Sequence, residues 1–362
     1  MLKKVLKLGE LTLMKNYKEQ ERIRHTLVDL FWECTLTCNA HCKHCGSNAE
    51  KRKYEGELTT DEIKSAFKQI ANDMDASKIL INVTGGEPLV RKDLCEVMEY
   101  ATNELGFRWG MTTNGILLNE ENIKKKKKAN METISISIDG LRETHDDFRG
   151  VPGSYDIIIN NIKKLKEAGY VKHLQVTTVF NKENIKQINE LYEVMLGLGL
   201  DSWRLVSMDP IGRANENDEL LLDGKEIKQI LDFIKSKKND KRLMLEYGCP
   251  GFLGLDYERE VREGYFYCRT GINIASILYN GDLFVCPNVP RIKKFIQGNI
   301  RGDNFKDVWD NKYKEFRDEN RTKCEECGKC EYWEYCLGGA FHTWNFEENV
   351  QNKCTYNMIK ES

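Results

Sequence analysis

Thirteen cysteines in 362 residues are the first chemistry on offer, and four of them fall between Cys34 and Cys45, seven between Cys268 and Cys354. Only Cys95 and Cys249 stand apart. Cys38, Cys42 and Cys45 form a C-x3-C-x2-C run. Three thiolates on so short a loop can converge on one soft centre, zinc or an iron–sulfur cluster. The number is informative, because a four-iron cube held by three cysteines keeps one iron open to a small molecule. Structural zinc instead closes its tetrahedron with a fourth ligand. Cys34, His41 and His44 are available for that place, so spacing alone leaves zinc as an alternative.

The second set, Cys268, Cys286, Cys324, Cys327, Cys330, Cys336 and Cys354, is too rich for one metal. Asn280-Gly281-Asp282 between two apolar runs reads as a tight hairpin that brings Cys268 and Cys286 together. A secreted disulfide scaffold would be short and would need an export signal. Here Lys3, Lys4, Lys7 and Glu10 interrupt any signal-peptide core, and no apolar run approaches a membrane span. The expected setting is a reducing cytoplasm. With 55 Lys+Arg against 57 Asp+Glu there is no basic field to hold nucleic acid.

These residues need a frame. From residue 28 to about 206, short β-branched runs alternate with helical patterns, the signature of βαβ units and a parallel sheet. Strands are predicted near Asp29–Glu33, Ile79–Thr84, Phe107–Thr112, Thr133–Ile138, Leu174–Val179 and Trp203–Val206. Helix signals lie between them: Thr59 and Glu62 as a capping box, Ser154 opening a helix that Gly169 closes, and a further helix over Gly224–Lys237. The lysine run Lys124–Lys128 reads as a solvated helix face. Whether the sheet is doubly wound or a partial barrel, loops at the carboxyl ends of its strands build the site. The cysteine loop follows the first strand. Thr84-Gly85-Gly86-Glu87-Pro88 follows the second, with two glycines whose amide and carbonyl groups can approach an amino-acid head group. The organisation expected is an extension over 1–27, a barrel-like domain over 28–240 and a cysteine-rich domain over 241–362.

Cys38-x3-Cys42-x2-Cys45 followed by Gly85-Gly86-Glu87-Pro88 resembles the radical SAM superfamily. So do Thr112-Thr113-Asn114-Gly115, Ser135 to Gly140 and Pro210 to Ala214 at the ends of later strands. The resemblance implies a partial (β/α)6 TIM-like barrel that binds a [4Fe-4S] cluster and S-adenosyl-L-methionine and cleaves the latter to a 5′-deoxyadenosyl radical. It implies further that Gly85, Gly86, Glu87 and Pro88 hold the methionine amino group. Asn114, Ser137 and Asp139 would then lie by cofactor or substrate, and Arg204 would meet a carboxylate, with a structural ion pair as the alternative for Arg204. His44 departs from the aromatic residue usual before the third cysteine.

The C-terminal set resembles a SPASM extension, which normally carries two auxiliary four-iron clusters. By that likeness Cys327, Cys330, Cys336 and Cys354 hold one. Cys268 and Cys286 belong to the other, but the family's further cysteine is replaced by Ala340. Cys249 or Cys324 would complete that site, or an iron would stay open, or the cluster would be missing. A pair of zinc ribbons is the alternative for the whole domain. Cys34 and Cys95 read as packing residues. The implied activity is a radical SAM maturase that cross-links or epimerises a ribosomally made peptide. The alternatives are formylglycine formation of the anaerobic sulfatase-maturase type and, from another class, a non-catalytic zinc scaffold. The implied partners are a peptide or small protein and a reductant such as flavodoxin or ferredoxin. The 37 residues before Cys38 are short for a leader-binding domain, so a separate recognition protein is also expected.

Overall fold

The computed structural model describes residues 2–362, with side chains from Leu6 onward. All six predicted strands form, as β1 (Asp29–Thr35), β2 (Leu80–Gly85), β3 (Arg108–Thr113), β4 (Thr133–Ser137), β5 (His173–Phe180) and β6 (Ser202–Ser207). They pair in parallel in that order, and β7 (Met244–Tyr247) adds a seventh parallel strand beside β6. The predicted hairpin is β8 (Ile274–Ile277) and β9 (Asp282–Phe284), turning at Gly281 with φ +88. It is not separate from the barrel sheet: β8 pairs in parallel with β1, and β10 (Gly298–Asn299) closes that edge. One ten-stranded sheet therefore crosses residue 240.

Alternation along the strands sorts the two faces. Leu30, Trp32, Ile81, Val83, Trp109, Met111, Ile134, Ile136, Val176, Trp203 and Leu205 are buried under the helices. These are α2 (Thr60–Asp73), α3 (Leu94–Asn103), α4 (Glu120–Lys128), α5 (Arg142–Arg149), α6 (Ser154–Ala168), α7 (Ile188–Gly197) and α8 (Gly224–Lys237), with the N-terminal helix, α1 (Leu2–Arg24), lying elsewhere. The opposite, lumen face is mostly polar, with Asn82, Thr84, Thr112, Ser135, Ser137, Thr177, Arg204 and Glu246, and carries Phe31, Val179 and Val206 as its apolar members. Ser137, Thr177, Arg204 and Glu246 share one register row.

Local signals account for the helix ends. Thr59 and Glu62 form the capping box, and Gly169 ends α6 at φ +62. Ser154 is the first helical residue, and Gly153 takes the cap position before it. Lys126, in the lysine run, is buried while its neighbours face water. Helix α1 lies against the C-terminal domain, where Leu11 is buried with Phe252, Tyr265 and Tyr332. Lys7 donates to the Leu255 carbonyl at 2.6 Å, and Lys18 to that of Tyr335 at 2.6 Å.

Candidate active site and cysteine clusters

The loop carrying Cys38, Cys42 and Cys45 leaves β1 and is tied down from three directions. From β2, the Gly86 amide donates to the Thr35 carbonyl at 2.8 Å and the Glu87 amide to that of Thr37 at 3.0 Å. A Cβ on Gly85 would lie 2.2 Å from the Thr35 oxygen, and one on Gly86 2.3 Å from that of Thr37. No other residue fits this approach. From α5, the carbonyls of Arg149 and Phe148 accept from the His41 and Lys43 amides at 3.2 and 3.0 Å. From the segment after β6, Arg213 Nε donates to the Cys42 carbonyl at 2.9 Å and Nη1 to that of Ala49 at 3.0 Å. Asn217 Nδ2 reaches the Lys43 carbonyl at 3.1 Å.

Cys38 and Cys42 are buried and Cys45 is half-buried. Burial pushes the Cys38 thiol up to about 11 and raises that of Cys42. A thiol so placed gives up its proton only to a cation that takes its charge. Three thiolates from one short loop are a soft donor set of the kind that holds an iron–sulfur cluster. His44 stacks on Phe148 with ring centroids 4.6 Å apart and planes 3° from parallel. Burial holds its pKa down at about 4, so it packs here as a neutral ring, as an aromatic residue would.

The other predicted site residues divide into spent and free. The Gly86 and Glu87 amides are used on the cysteine strand and the Glu87 and Pro88 carbonyls accept from the Val90 and Arg91 amides at 3.1 Å each, so of these groups the Gly86 carbonyl is the one left for a ligand. That suits an ammonium group and not an anion. Glu87 is fully buried and accepts from the Thr113 hydroxyl at 2.7 Å and from the Asn114 and Leu89 amides at 2.8 and 3.0 Å. Burial raises its pKa, and its carboxylate staples β2 to β3. Pro88 starts the short helical turn that follows. Asn114 donates to Asn39 of the cysteine loop at 2.7 Å. Asp139 is buried, accepting from the Val179 amide at 2.7 Å and from Arg149 at 2.5 Å, so its carboxylate is consumed inside the protein. Ser137 and Arg204 are free on the lumen face. Arg204 is exposed and forms no ion pair among the described residues, so the structural alternative is not realised.

In the C-terminal domain the cysteines fall into two groups. Cys249 and Cys268 pack against Phe252, Phe266 and Ala340, the last fully buried. Burial raises the Cys249 thiol, and the neighbouring Cys268 raises it further. Cys286 is pushed up to about 11 by burial, again with Cys268 beside it. The Phe341 amide lies 3.4 Å from Cys268 Sγ. Burial opposes ionisation of Cys268, but Arg321 and hydrogen bonds from Thr270 and Phe341 outweigh it and leave this thiol below its ordinary range. The second group is Cys324, Cys327, Cys330, Cys336 and Cys354. Cys324 Sγ accepts from the Cys327 amide at 3.4 Å. Burial and then Cys354 and Cys330 act on Cys336, holding it at about 12. Of the two residues open for completing the first group, Cys249 lies beside Cys268 and Cys324 lies with the other set.

Polar ties hold this domain over the barrel mouth. Lys353 donates to Asp209 at 2.6 Å and His342 lies 3.1 Å from the other oxygen of the same carboxylate. Arg291 pairs with Glu33 of β1. Residue spacing does not mark Arg149 or Arg321, and Arg213 carries a signal only as part of the Pro210–Ala214 segment.

The sequence profile of the Radical SAM superfamily matches residues 32–195, and that of SPASM, an iron–sulfur cluster-binding domain, matches residues 268–331. The chain is 31% identical over 324 residues to the AdoMet-dependent heme synthase of Methanosarcina barkeri, covering 85% of this chain and 89% of that protein. It is 29% identical to the mycofactocin maturase MftC of Mycolicibacterium smegmatis, over 86% of this chain and 77% of the relative. Among solved structures, anSMEcpe with bound AdoMet and Cp18Cys peptide superposes with TM-score 0.72 at 19% identity, covering 93% of this chain and 95% of that one. Streptococcus suis SuiB bound to S-adenosylmethionine gives 0.67 at 20%, covering 87% and 73%. The chain belongs to the radical SAM superfamily, in the group whose barrel is followed by a SPASM domain. It is an iron–sulfur enzyme whose cofactors are [4Fe-4S] clusters and S-adenosyl-L-methionine. That membership displaces the zinc readings.

Proposed function

We propose that this enzyme is a maturase that oxidatively modifies a peptide or small protein. Cys38, Cys42 and Cys45 hold the S-adenosylmethionine-binding cluster. The Gly85–Pro88 turn takes the methionine ammonium on its Gly86 carbonyl, with Glu87 and Asn114 fixing the loops around it, and Ser137 and Arg204 meet the polar parts of cofactor or substrate from the lumen. Cys327, Cys330, Cys336 and Cys354 hold one auxiliary cluster, with Cys324 at its edge. Cys268, Cys286 and Cys249 form the other site, three thiolates with Ala340 where a fourth would stand. When bound, cluster and S-adenosylmethionine supply a 5′-deoxyadenosyl radical able to abstract a substrate hydrogen. The protein's part is to hold that hydrogen close and to keep the site closed under the C-terminal domain.

The observation that carries the reading is Arg204. It stands free in the lumen and packs against Gly248, the residue before Cys249, where an added Cβ would lie 3.0 Å from its Nε. A substrate in the lumen thus lies between the cysteine loop and an auxiliary site, the arrangement an oxidative modification needs for its second electron. The mostly polar lumen suits a peptide backbone, and the mycofactocin maturase MftC and the SuiB complex with precursor peptide SuiA point the same way. A small reductant of the flavodoxin or ferredoxin type and a separate leader-recognition protein complete the proposed partners. No described helix is long and apolar enough to cross a membrane, and a cytoplasmic setting is part of the proposal.

A second reading has its own support: the 31% identical relative is a heme synthase, which would put a porphyrin carboxylate against Arg204. Reconstituted enzyme with S-adenosylmethionine and dithionite separates the readings. A mass change of two hydrogens in a peptide encoded beside the gene supports the first. Formation of heme from an iron porphyrin with no action on peptides overturns it. Oxidation of a sulfatase-motif peptide would narrow it to formylglycine formation.

A further inference from the structure

Arg149 is the last residue of α5, where Gly150 turns the chain away at φ +66. Its guanidinium is buried and points back under the cysteine loop. Nε and Nη2 meet Asp139 Oδ2 at 2.5 Å, while Nη1 lies 3.6 Å from Cys42 Sγ, within hydrogen-bonding reach of a thiolate. Asp139 is itself fixed, since its other oxygen accepts from the Val179 amide at 2.7 Å and its own amide donates to His145 Nδ1 at 3.0 Å. The Arg149 carbonyl accepts from the His41 amide at 3.2 Å, so the residue grips the loop by main chain and side chain together. A buried ion pair is weak evidence for stability, because desolvating both charges cancels much of their attraction. Asp139 and Arg149 are both in the interior beside a sulfur, and a purely structural account leaves the direction of the third donor unexplained.

We propose that the Asp139–Arg149 pair sets the reduction potential of the cluster on the N-terminal loop, with Arg149 as a positioning residue that donates to the Cys42 thiolate. The proposal rests on the reading that Cys42 is a cluster ligand. Reduction adds one negative charge to the cluster. A cationic donor on a ligand sulfur favours that state, and hydrogen bonds to the sulfurs are among the levers that move such potentials. In a site of low dielectric the effect is large and poorly screened. Asp139 moderates it by taking up part of the guanidinium charge. The two side chains should therefore act with opposite sign, which no packing role predicts.

The test is potentiometric EPR of the reconstituted full-length enzyme, following the reduced signal that added S-adenosylmethionine perturbs, so that auxiliary clusters are set aside. Arg149→Met should make reduction at least tenfold less favourable, a fall of about 59 mV for one electron. Asp139→Asn keeps an acceptor for the Val179 amide and should move the potential upward. Arg149→Lys, which keeps the charge but not the fork, should fall between wild type and Arg149→Met. Shifts of the same sign in Arg149→Met and Asp139→Asn, or no shift in either with the cluster retained, would overturn the proposal. If Arg149→Met does not hold its cluster, Asp139→Asn and Arg149→Lys decide the sign. A Cys42→Ser variant separates the layers: if it keeps the S-adenosylmethionine-sensitive signal, the ligand reading itself fails.

Discussion

The two cysteine-rich regions are built by opposite means. The N-terminal loop lies among strand ends of a parallel sheet, and its carbonyls and amides are held by Gly86, Glu87, Phe148, Arg149, Arg213 and Asn217. Its shape is held by protein hydrogen bonds from three sides. In the second C-terminal group Cys327 and Cys336 sit on single helical turns, Glu325–Lys329 and Trp333–Cys336, Cys324 and Cys330 cap the first of them, and a two-residue ladder, Trp344–Asn345 with Val350–Gln351, precedes Cys354. Little backbone pairing fixes them relative to one another. In such a region metal binding free energy becomes folding free energy. Generation of the radical needs a rigid, preorganised seat, whereas an auxiliary site can let its clusters order the chain around them.

The largest effects should expose this contrast. Cys42→Ser is expected to abolish 5′-deoxyadenosine formation while leaving the thermal transition of the barrel nearly unchanged. Cys336→Ser is expected to do the reverse in structural terms: limited proteolysis should cut the segment 318–362 while the barrel fragment survives. A protected C-terminal segment in Cys336→Ser would show that protein contacts, not iron, hold that domain together.

Next in size is the seat itself. Arg213 is buried and gives charged hydrogen bonds to two carbonyls of the loop, so Arg213→Met leaves the Ala49 carbonyl unpaired and the Cys42 carbonyl with the Cys45 amide alone, at a cost of about 2 kcal/mol. The expected outcome is a lower Tm together with weaker retention of the S-adenosylmethionine-sensitive EPR signal. A stable protein that keeps that signal would show that the loop does not depend on this clamp. At the other region, Ala340→Cys puts a sulfur beside the Phe341 amide that bonds Cys268. Iron retained per chain after desalting should rise, with little change in Tm, if Cys249, Cys268 and Cys286 form a three-thiolate site.

What was legible beforehand follows the same division. The parallel strands announce themselves as β-branched runs, and the cysteine loop and glycine turn lie at strand ends where ligand sites belong. The pairing of β8 with β1 and the docking of α1 on the C-terminal domain join residues far apart in sequence, and no local signal marks such contacts. Glu87 and Asp139 are the instructive pair. Carboxylates in motif positions suggest ligand contacts, yet both turn inward to satisfy amides and a guanidinium. Whether a carboxylate faces a ligand or the protein is decided by which donors the fold brings to it. The sorting of Cys249 from Cys324 likewise depends on three-dimensional proximity and not on spacing.

The smallest effect concerns pH and distinguishes the regions again. His145 lies under the N-terminal loop, where burial and then the Arg149 charge push its pKa down to about 4. Its Nδ1 accepts the Asp139 amide, which requires the neutral ring. In the unfolded chain the same imidazole titrates near its ordinary 6.5. Because the folded value is the lower one, the stabilising contribution is present above pH 6.5 and is lost as pH falls toward 4. Between pH 7.5 and 5.5 this amounts to about 1 kcal/mol from one histidine. Under anaerobic conditions, Tm of the wild type should therefore fall more across that interval than Tm of His145→Gln, whose amide oxygen can still accept the Asp139 N–H. Equal slopes would mean that the acid sensitivity of the fold lies elsewhere, in His44 or in the metal-ordered C-terminal domain, and the preorganised seat would then be insensitive to protons over this range.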